Sequence, residues 1–384
     1  MRRAAAFVLM VLLFMCGLFT GCSRGSEDTG EAEGPAWDTL TEESVLPLSY
    51  AKEFSVTVYS GGYQLIEIAS SGRFLTVPEG KAAPSGLPED LVPLYLPLDR
   101  MYLAATSAMD FFRTLECIGS IRLSGTNTEG WAIPEAREAM KAGNMLFAGK
   151  YSAPDYELIF AEKCDLAIES TMIYHTPEIK EQLEKLGVPV LVERSSYEEH
   201  PLGRMEWIKL YGALLGKETE AERLFKEETE RVEALDGLSG TGKTAAFFYI
   251  NAAGTVNVRK STDYVPEMIR LAGGSYVFSD LDSGSALSTV NLTMEAFYDS
   301  AKDADVLIYN STIDGEIRTI DELLKKSPLL SDFKAVGSGD VWCTEKNLFQ
   351  EPMGLGRLIE DFHRVFSGDI PEDGQLMYLH RLTE

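Results

Sequence analysis

Tyr156-Glu157-Leu158-Ile159-Phe160-Ala161-Glu162-Lys163-Cys164-Asp165-Leu166-Ala167-Ile168 and Met294-Glu295-Ala296-Phe297-Tyr298-Asp299-Ser300-Ala301-Lys302-Asp303-Ala304-Asp305-Val306-Leu307-Ile308 follow one pattern. In each, a glutamate opens a short amphipathic helix. A polar break follows, and an aspartate then precedes an apolar run short enough for a buried strand. A glutamate near a helix N-terminus gains ~0.3–1 kcal/mol from the helix dipole. That accounts for either glutamate alone, but not for their return at the same point of two units. Helix leading into buried strand, in both halves of the chain, predicts an α/β protein with two related lobes.

The flanking sequence keeps the alternation. Residues 54–59 and 63–68 are strand-like, with Ser60-Gly61-Gly62 turning between them. Residues 101–104 read as a strand, and Thr106-Ser107 caps a helix to residue 115 with Asp110 in its first turn. Residues 118–120 read as a short strand, 134–142 as a helix, and Pro154 as the first turn of another. A helix over 177–186 stops at Gly187, before a strand over 188–192. In the second half, strands are predicted at 245–250, 256–258, 306–309 and 340–342. Helices are predicted at 264–272, 320–326 and 353–366. Between the halves, Leu202, Met205, Ile208, Tyr211, Leu214 and Leu215 recur at helical spacing, Gly216 interrupts, and residues 219–235 form a strongly charged helix. At ~1.5 Å per residue these pieces together span ~50 Å, enough for an outer rod joining two lobes.

A chain of 384 residues suits two domains. Its 35 Lys+Arg against 60 Asp+Glu give −25. Arg2 and Arg3 are the only charges in residues 1–22, so the remainder carries 33 − 60 = −27. This balance argues against non-specific binding to nucleic acid, which needs a basic surface, and no nucleic-acid partner is expected. Charge alone does not hold such a chain on an anionic membrane either.

The N-terminus sets the compartment. After Arg2 and Arg3, residues 4–19 are uncharged and apolar. This is shorter than the ~20 residues of a membrane-spanning helix and suits a signal peptide over 1–21. Phe19-Thr20-Gly21-Cys22 resembles the lipobox of bacterial lipoproteins, with Phe19 where Leu is commoner. The resemblance implies that Cys22 becomes the lipid-bearing N-terminus, and that the protein is extracytoplasmic and anchored to the bacterial cell membrane. The other reading is an ordinary secretory signal with an incidental Cys22. Residues 22–44 are expected to be a flexible tether, 45–200 an N-terminal lobe, 201–236 an interlobe helix and 237–384 a C-terminal lobe.

Other motifs carry less. Gly237-Leu238-Ser239-Gly240-Thr241-Gly242-Lys243-Thr244 satisfies G-x-x-x-x-G-K-[ST]. Phosphate binding there requires a strand before the loop and a helix after it, and the sequence predicts the reverse. The loop is therefore read as a linker. His175 and His200 sit after predicted strands, where ligands bind, whereas His363 and His380 read as solvated. No paired-histidine zinc motif and no nucleophile elbow occurs in the chain. Cys117 and Cys164 each precede a predicted core strand, which leaves a bridge between them or buried free thiols, the latter preferred.

Glu157 to Leu166 reads E-x-[IL]-x-x-x-x-C-D-[LV], with Ala167 before Ile168. With Val188-Pro189-Val190, Leu214-Leu215-Gly216-Lys217-Glu218 and Glu267-Met268-Ile269-Arg270-Leu271-Ala272-Gly273-Gly274, it resembles the substrate-binding lipoproteins of ABC importers that take up ferric siderophores, haem and vitamin B12. Cys164 stands where that family usually has proline, and residues 45–100 are longer than its usual start. The resemblance implies an α/β fold of two Rossmann-like lobes joined by a single long α-helix, with a small metal chelate or tetrapyrrole in the cleft. It implies no catalysis and no resident cofactor. Its partner is an ABC permease with ATPase subunits, docked by Glu157 and Glu295 through permease arginines. The protein is expected to be a monomer.

Ligands of open α/β sheets bind beyond the carboxyl ends of the strands. In the first half Thr106, Arg122, Trp131, Lys150, Tyr151, Tyr174, Arg194, Tyr197 and Arg204 fall there. In the second, Asn251, Arg259, Lys260, Tyr264, Asn310 and Trp342 do. Cations beside aromatics suit a large planar or anionic ligand. Two alternatives remain at this stage: an exported chelatase-like enzyme, which needs an acid–base pair in the cleft, and a zinc or manganese binder, which needs histidines from both lobes.

Overall fold

The computed structural model describes residues 34–236, 240–281, 288–313 and 315–384. The signal peptide, Cys22 and the start of the tether lie outside the described residues.

The repeated unit becomes the hub of each lobe. In the first, Asp155 caps the helix Tyr156–Ala161 by accepting from Leu158 N at 3.0 Å. In the second, Thr293 caps Met294–Ala301 by accepting from Ala296 N at 3.2 Å. Each helix leads to a buried strand, Ala167–Ser170 or Val306–Tyr309. The aspartate of each unit ties down the strand that opens its lobe. Asp165 accepts the amides of Asp99 and Arg100, both at 2.9 Å. Asp305 accepts Thr244 N at 2.9 Å and its hydroxyl at 3.0 Å. The bond from Lys334 holds the Asp305 carboxyl down at about 2.

The first lobe has five parallel strands in the order Val190–Glu193, Ala167–Ser170, Met101–Leu103, Ile121–Ser124, Leu146–Phe147. The chain winds outward both ways from Met101–Leu103. A crevice therefore opens beyond the carboxyl ends of Met101–Leu103 and Ala167–Ser170. In the second lobe Thr244–Ile250, Val306–Tyr309 and Val341–Thr344 are parallel. Antiparallel Val256–Arg259 and Thr289–Leu292 extend one side, and Leu379–Arg381 the other.

The interlobe segment departs from a straight rod. It forms Pro201–Glu206, Ile208–Leu215 and the 19-residue Glu218–Asp236. Gly216 adopts a left-handed φ of 64° and ends the second helix. The chain then folds back: Lys209 Nζ meets Glu222 Oε2 at 2.8 Å, and Gly212 lies against Ala221. A side chain at 212 would collide with Ala221 Cβ, so the glycine permits the close approach. The long helix is thus one arm of a hairpin, and it runs beside the last helix Leu355–Ser367, where Arg231 pairs with Glu360 at 3.1 Å.

Residues 42–95 form a separate five-stranded sheet, Glu42–Val45, Phe54–Tyr59, Tyr63–Ile68, Gly72–Val77 and Leu91–Tyr95, paired in chain order. One face, with Phe54, Val56, Ile66 and Phe74, joins the main core. The other, with Tyr63, Leu65 and Leu75, is covered by Trp37 and Leu40. Residues 34–44, expected as tether, are therefore built into this accessory sheet: two large apolar side chains gain more by covering it than by staying in water.

Two buried carboxylates fasten the sheet. Glu206 accepts the amides of Ser49 (2.9 Å), Tyr50 (2.8 Å) and Ala51 (2.8 Å) and meets Lys209 at 3.1 Å. Glu198 accepts from Lys52, Glu53 and Trp207 Nε1. Ser71 Oγ bonds both N and O of Val192, closing the open edge of the first-lobe sheet. Glu206→Ala leaves three amides and an ammonium without their acceptor, and is expected to cost about 3 kcal/mol in urea unfolding. A loss under 0.5 kcal/mol would mean that the apolar face alone holds the sheet.

Residues 118–120 form a 3-10 turn, and the strand starts at Ile121. Pro154 pairs with Gly149, so the helix begins after it. Cys117, Cys164 and Cys343 are free thiols, and burial pushes the latter two up to about 12. The described part of the G-x-x-x-x-G-K-T stretch runs directly into the strand Thr244–Ile250, with the helix Glu218–Asp236 before it, so a strand stands where a phosphate loop needs a helix.

Candidate functional site

The lobes touch through the segment that follows the last parallel strand of the second lobe. The turn Leu348–Gln350, after the strand Val341–Thr344, reaches across: Gln350 accepts from Ala132 N and donates to Gly130 O, both at 2.8 Å. Asp110 Oδ2 accepts the amide of Met353 at 2.8 Å. Burial pushes the Asp110 carboxyl up to about 6, against the opposing pull of Arg113. Arg204 is buried and stacks on Tyr264, with its Cζ 4.9 Å from the ring centroid. Its Nε has no hydrogen-bond partner among the described residues. It stands between two buried acids of opposite lobes, Glu193 and Asp263, and lowers both against the larger upward push of burial.

The sequence-predicted residues divide by what they do here. Trp131 and Trp342 are core side chains, and Trp131 donates to Ser124 Oγ at 3.2 Å. Arg122 is held by Glu162 at 2.8 Å and by the carbonyls of Gly143 and Asn144. Asn251 folds its own turn by accepting from Ala253 and Thr255, and buried Asn310 does the same for Thr312. Arg259 pairs with Asp263 at 3.4 Å, and Lys260 is buried. Arg194 pairs with Glu53 of the accessory sheet at 2.7 Å and lies 4.4 Å over the Tyr197 ring. Tyr174 OH donates to Ser70 O of the same sheet at 3.2 Å. Thr106 begins the turn after Met101–Leu103, and Lys150 and Tyr151 lie in the hairpin after Leu146–Phe147. Much of the positive charge read from the sequence is therefore neutralised inside the protein.

His200, His363 and His380 are framework, and His363, expected to be solvated, meets Ala272 O through Nδ1 at 3.1 Å. His200 Nδ1 caps its helix by accepting from Leu202 N, and its ring stacks on Tyr50 at 4.7 Å. His380, expected to be solvated, is held between Glu345 at 2.7 Å and Ile317 O at 2.8 Å, because Leu379–Arg381 pairs into the sheet. His175 is exposed at the end of the turn Thr171–His175. Among the described residues no group of three or more His, Cys, Asp or Glu side chains is gathered to hold a metal ion.

Sequence reading missed a set of exposed apolar side chains at strand ends. Phe147 ends the strand Leu146–Phe147, Met172 lies with Tyr174 and Tyr197 in turns after strands, and Ile313 lies four residues after Val306–Tyr309. The available signal was an apolar residue at a strand end or in the turn after it, where a polar residue is usual. Glu157 and Glu295 are both exposed, each in the first turn of its capped helix. Phe160, one turn after Glu157, is 66% exposed.

Comparison with known proteins agrees with this geometry. The sequence profile of the periplasmic binding protein family matches residues 126–348. An uncharacterized lipoprotein of Methanocaldococcus jannaschii is 25% identical over 315 residues, 77% of this chain and 73% of its own length. The periplasmic haem-binding protein HutB of Vibrio cholerae superposes with a TM-score of 0.57 at 17% identity, over 71% of this chain and 99% of that one. An ABC-type Fe3+-hydroxamate transport protein of Saccharomonospora viridis superposes with a TM-score of 0.54 at 21% identity, over 70% and 93%.

Proposed function

The chain belongs to the periplasmic binding protein family, and we propose that it is the lipid-anchored, extracytoplasmic receptor of an ABC importer. It captures a ferric siderophore, haem or cobalamin between its lobes and hands it to the permease. It binds and does not catalyse. The observation that carries this reading is the placement of Glu157 and Glu295. One repeated unit presents both carboxylates on capped helices, at equivalent points of two lobes. A pair of matched anions suits a two-fold permease with an arginine for each.

The chelatase-like alternative lacks support from the site. The pairs His200–Glu267, at 3.7 Å, and His380–Glu345 bring histidine to a carboxylate. In both, a ring nitrogen is taken up by the protein backbone.

Native mass spectrometry of the protein purified from its own cells, with a binding screen of haem, cobalamin and ferric siderophores, is expected to find one of these chelates bound at one per chain. Retention of a sugar or peptide, with no chelate bound at any concentration, would overturn the reading.

A further inference from the structure

We propose that the first lobe docks its permease through an apolar contact as well as a charged one: Phe160 and the hollow beside it receive an apolar side chain that the permease carries next to its arginine for Glu157. The proposal rests on the transport reading and deepens its docking surface. Residues three apart on a helix lie side by side on its surface. Glu157 and Phe160 are both exposed on the capped helix Tyr156–Ala161, so they share one face. Beside Phe160 opens a hollow of about 370 Å³, walled by Ile159, Ala161, Cys164, Leu186 and Val188. Ile159, Cys164 and Val188 belong to a core of the first lobe, and Leu186 packs against it. The hollow is therefore backed by packed apolar structure, and its wall meets water.

One exposed aromatic alone carries little meaning. The other copy of the repeat supplies the contrast. Three residues after each docking glutamate comes an aromatic, Phe160 or Tyr298, and the residue before it, Ile159 or Phe297, is fully buried in both units. The two helices thus share one register. Tyr298 is covered from within: its ring rests edge-on against Phe333 at 5.6 Å, and Lys302 Nζ lies 5.2 Å over it. Among the described residues no aromatic ring or cation lies against Phe160. The first lobe leaves open what the second closes. Glu162, between Ala161 and Lys163 at the edge of the hollow, is already paired with Arg122 at 2.8 Å, so its charge does not oppose an apolar partner. An apolar contact beside an ion pair keeps water from the pair and strengthens it. The occupant is thus an apolar side chain of the permease, placed about one helical turn from its arginine, and the first lobe is held more tightly than the second.

The purified protein, fluorescently labelled, is titrated onto proteoliposomes that carry its permease, at low and at high salt. Phe160→Ala should weaken binding roughly 10- to 100-fold, and Phe160→Leu only a few-fold. The ratio to wild type should hold as salt rises, because an apolar contact is not screened. Ala161→Gln, at an exposed helix position, fills the hollow without changing charge and should weaken binding by a similar factor. Tyr298→Ala should change it by less than about 3-fold. Binding unchanged in both Phe160→Ala and Ala161→Gln, beside a Glu157→Ala with Glu295→Ala variant that no longer binds, overturns the apolar contact and keeps the docking glutamates. Normal binding by the glutamate variant as well removes the docking reading too. A Tyr298→Ala loss equal to that of Phe160→Ala overturns the difference between the lobes. Wild type that sediments as a dimer, split into monomers by Phe160→Ala, makes the patch a contact between copies of this chain and overturns the proposal.

Discussion

Glu169→Leu is expected to make the protein more stable than wild type above pH 8, by roughly 4–5 kcal/mol relative to the difference at pH 4.5. Glu169 lies on the strand Ala167–Ser170 and is completely buried. Neither carboxyl oxygen has a hydrogen-bond partner among the described residues. Burial alone pushes the carboxyl from its ordinary 4.5 up to about 8. A carboxyl raised by folding stays protonated in the folded chain after it has ionised in the unfolded one. Its contribution is fully present below pH 4.5 and is lost as pH rises through about 8. Leucine has a similar volume and no charge to desolvate, so the variant lacks this slope. Asp110 and Asp361, both raised to about 6, titrate in wild type and variant alike and cancel in the difference. Urea unfolding of both proteins at pH 5, 7 and 9 measures it. Parallel stability curves would show that Glu169 finds a partner or water on ionising.

What the sequence made legible follows from how local each cause was. The strands Phe54–Tyr59, Tyr63–Ile68 and Val306–Tyr309 coincide with their predicted bounds, because β-branched and aromatic runs end at turn residues on both sides. Glu42–Val45 is wholly exposed and shows no alternation, and Leu91–Tyr95 holds Pro93, so neither announced itself. Gly216 was visible as an interruption. Its consequence was not, since a kink and a reversal differ only in whether Gly212 packs on Ala221. The repeat carried the two-lobed plan, and even the role of its aspartates is local to each unit. The cations beside aromatics were likewise legible as residues, but not their charge balance. Arg194 is neutralised by Glu53, 141 residues earlier, and Arg122 by Glu162, 40 residues later. Partners at such separations are fixed by the fold and leave no periodic trace. The expectation of a planar or anionic ligand rested on residue types alone, and the cations behind it at Arg194 and Arg122 are engaged inside the protein.

Glu157→Ala with Glu295→Ala is expected to abolish uptake in cells while leaving fold and ligand affinity intact. Both side chains are exposed, and neither makes a hydrogen bond or ion pair within the described residues. Their helices are capped by Asp155 and Thr293, so the substitutions leave those caps in place. The dipole interaction each carboxylate loses amounts to a few tenths of a kcal/mol, too little to unfold a lobe. Across a docked interface the balance is different. Removing one partner of a desolvated pair costs ~2–5 kcal/mol, and two such losses take a micromolar encounter beyond useful range. Each single variant should therefore keep part of the uptake and the double variant none. Binding of the purified protein to its permease should weaken further as salt rises, because the first approach of an acidic receptor is steered by charge. Normal transport by the double variant would remove these glutamates from docking. Failure of transport together with loss of ligand binding would place them in the ligand site instead.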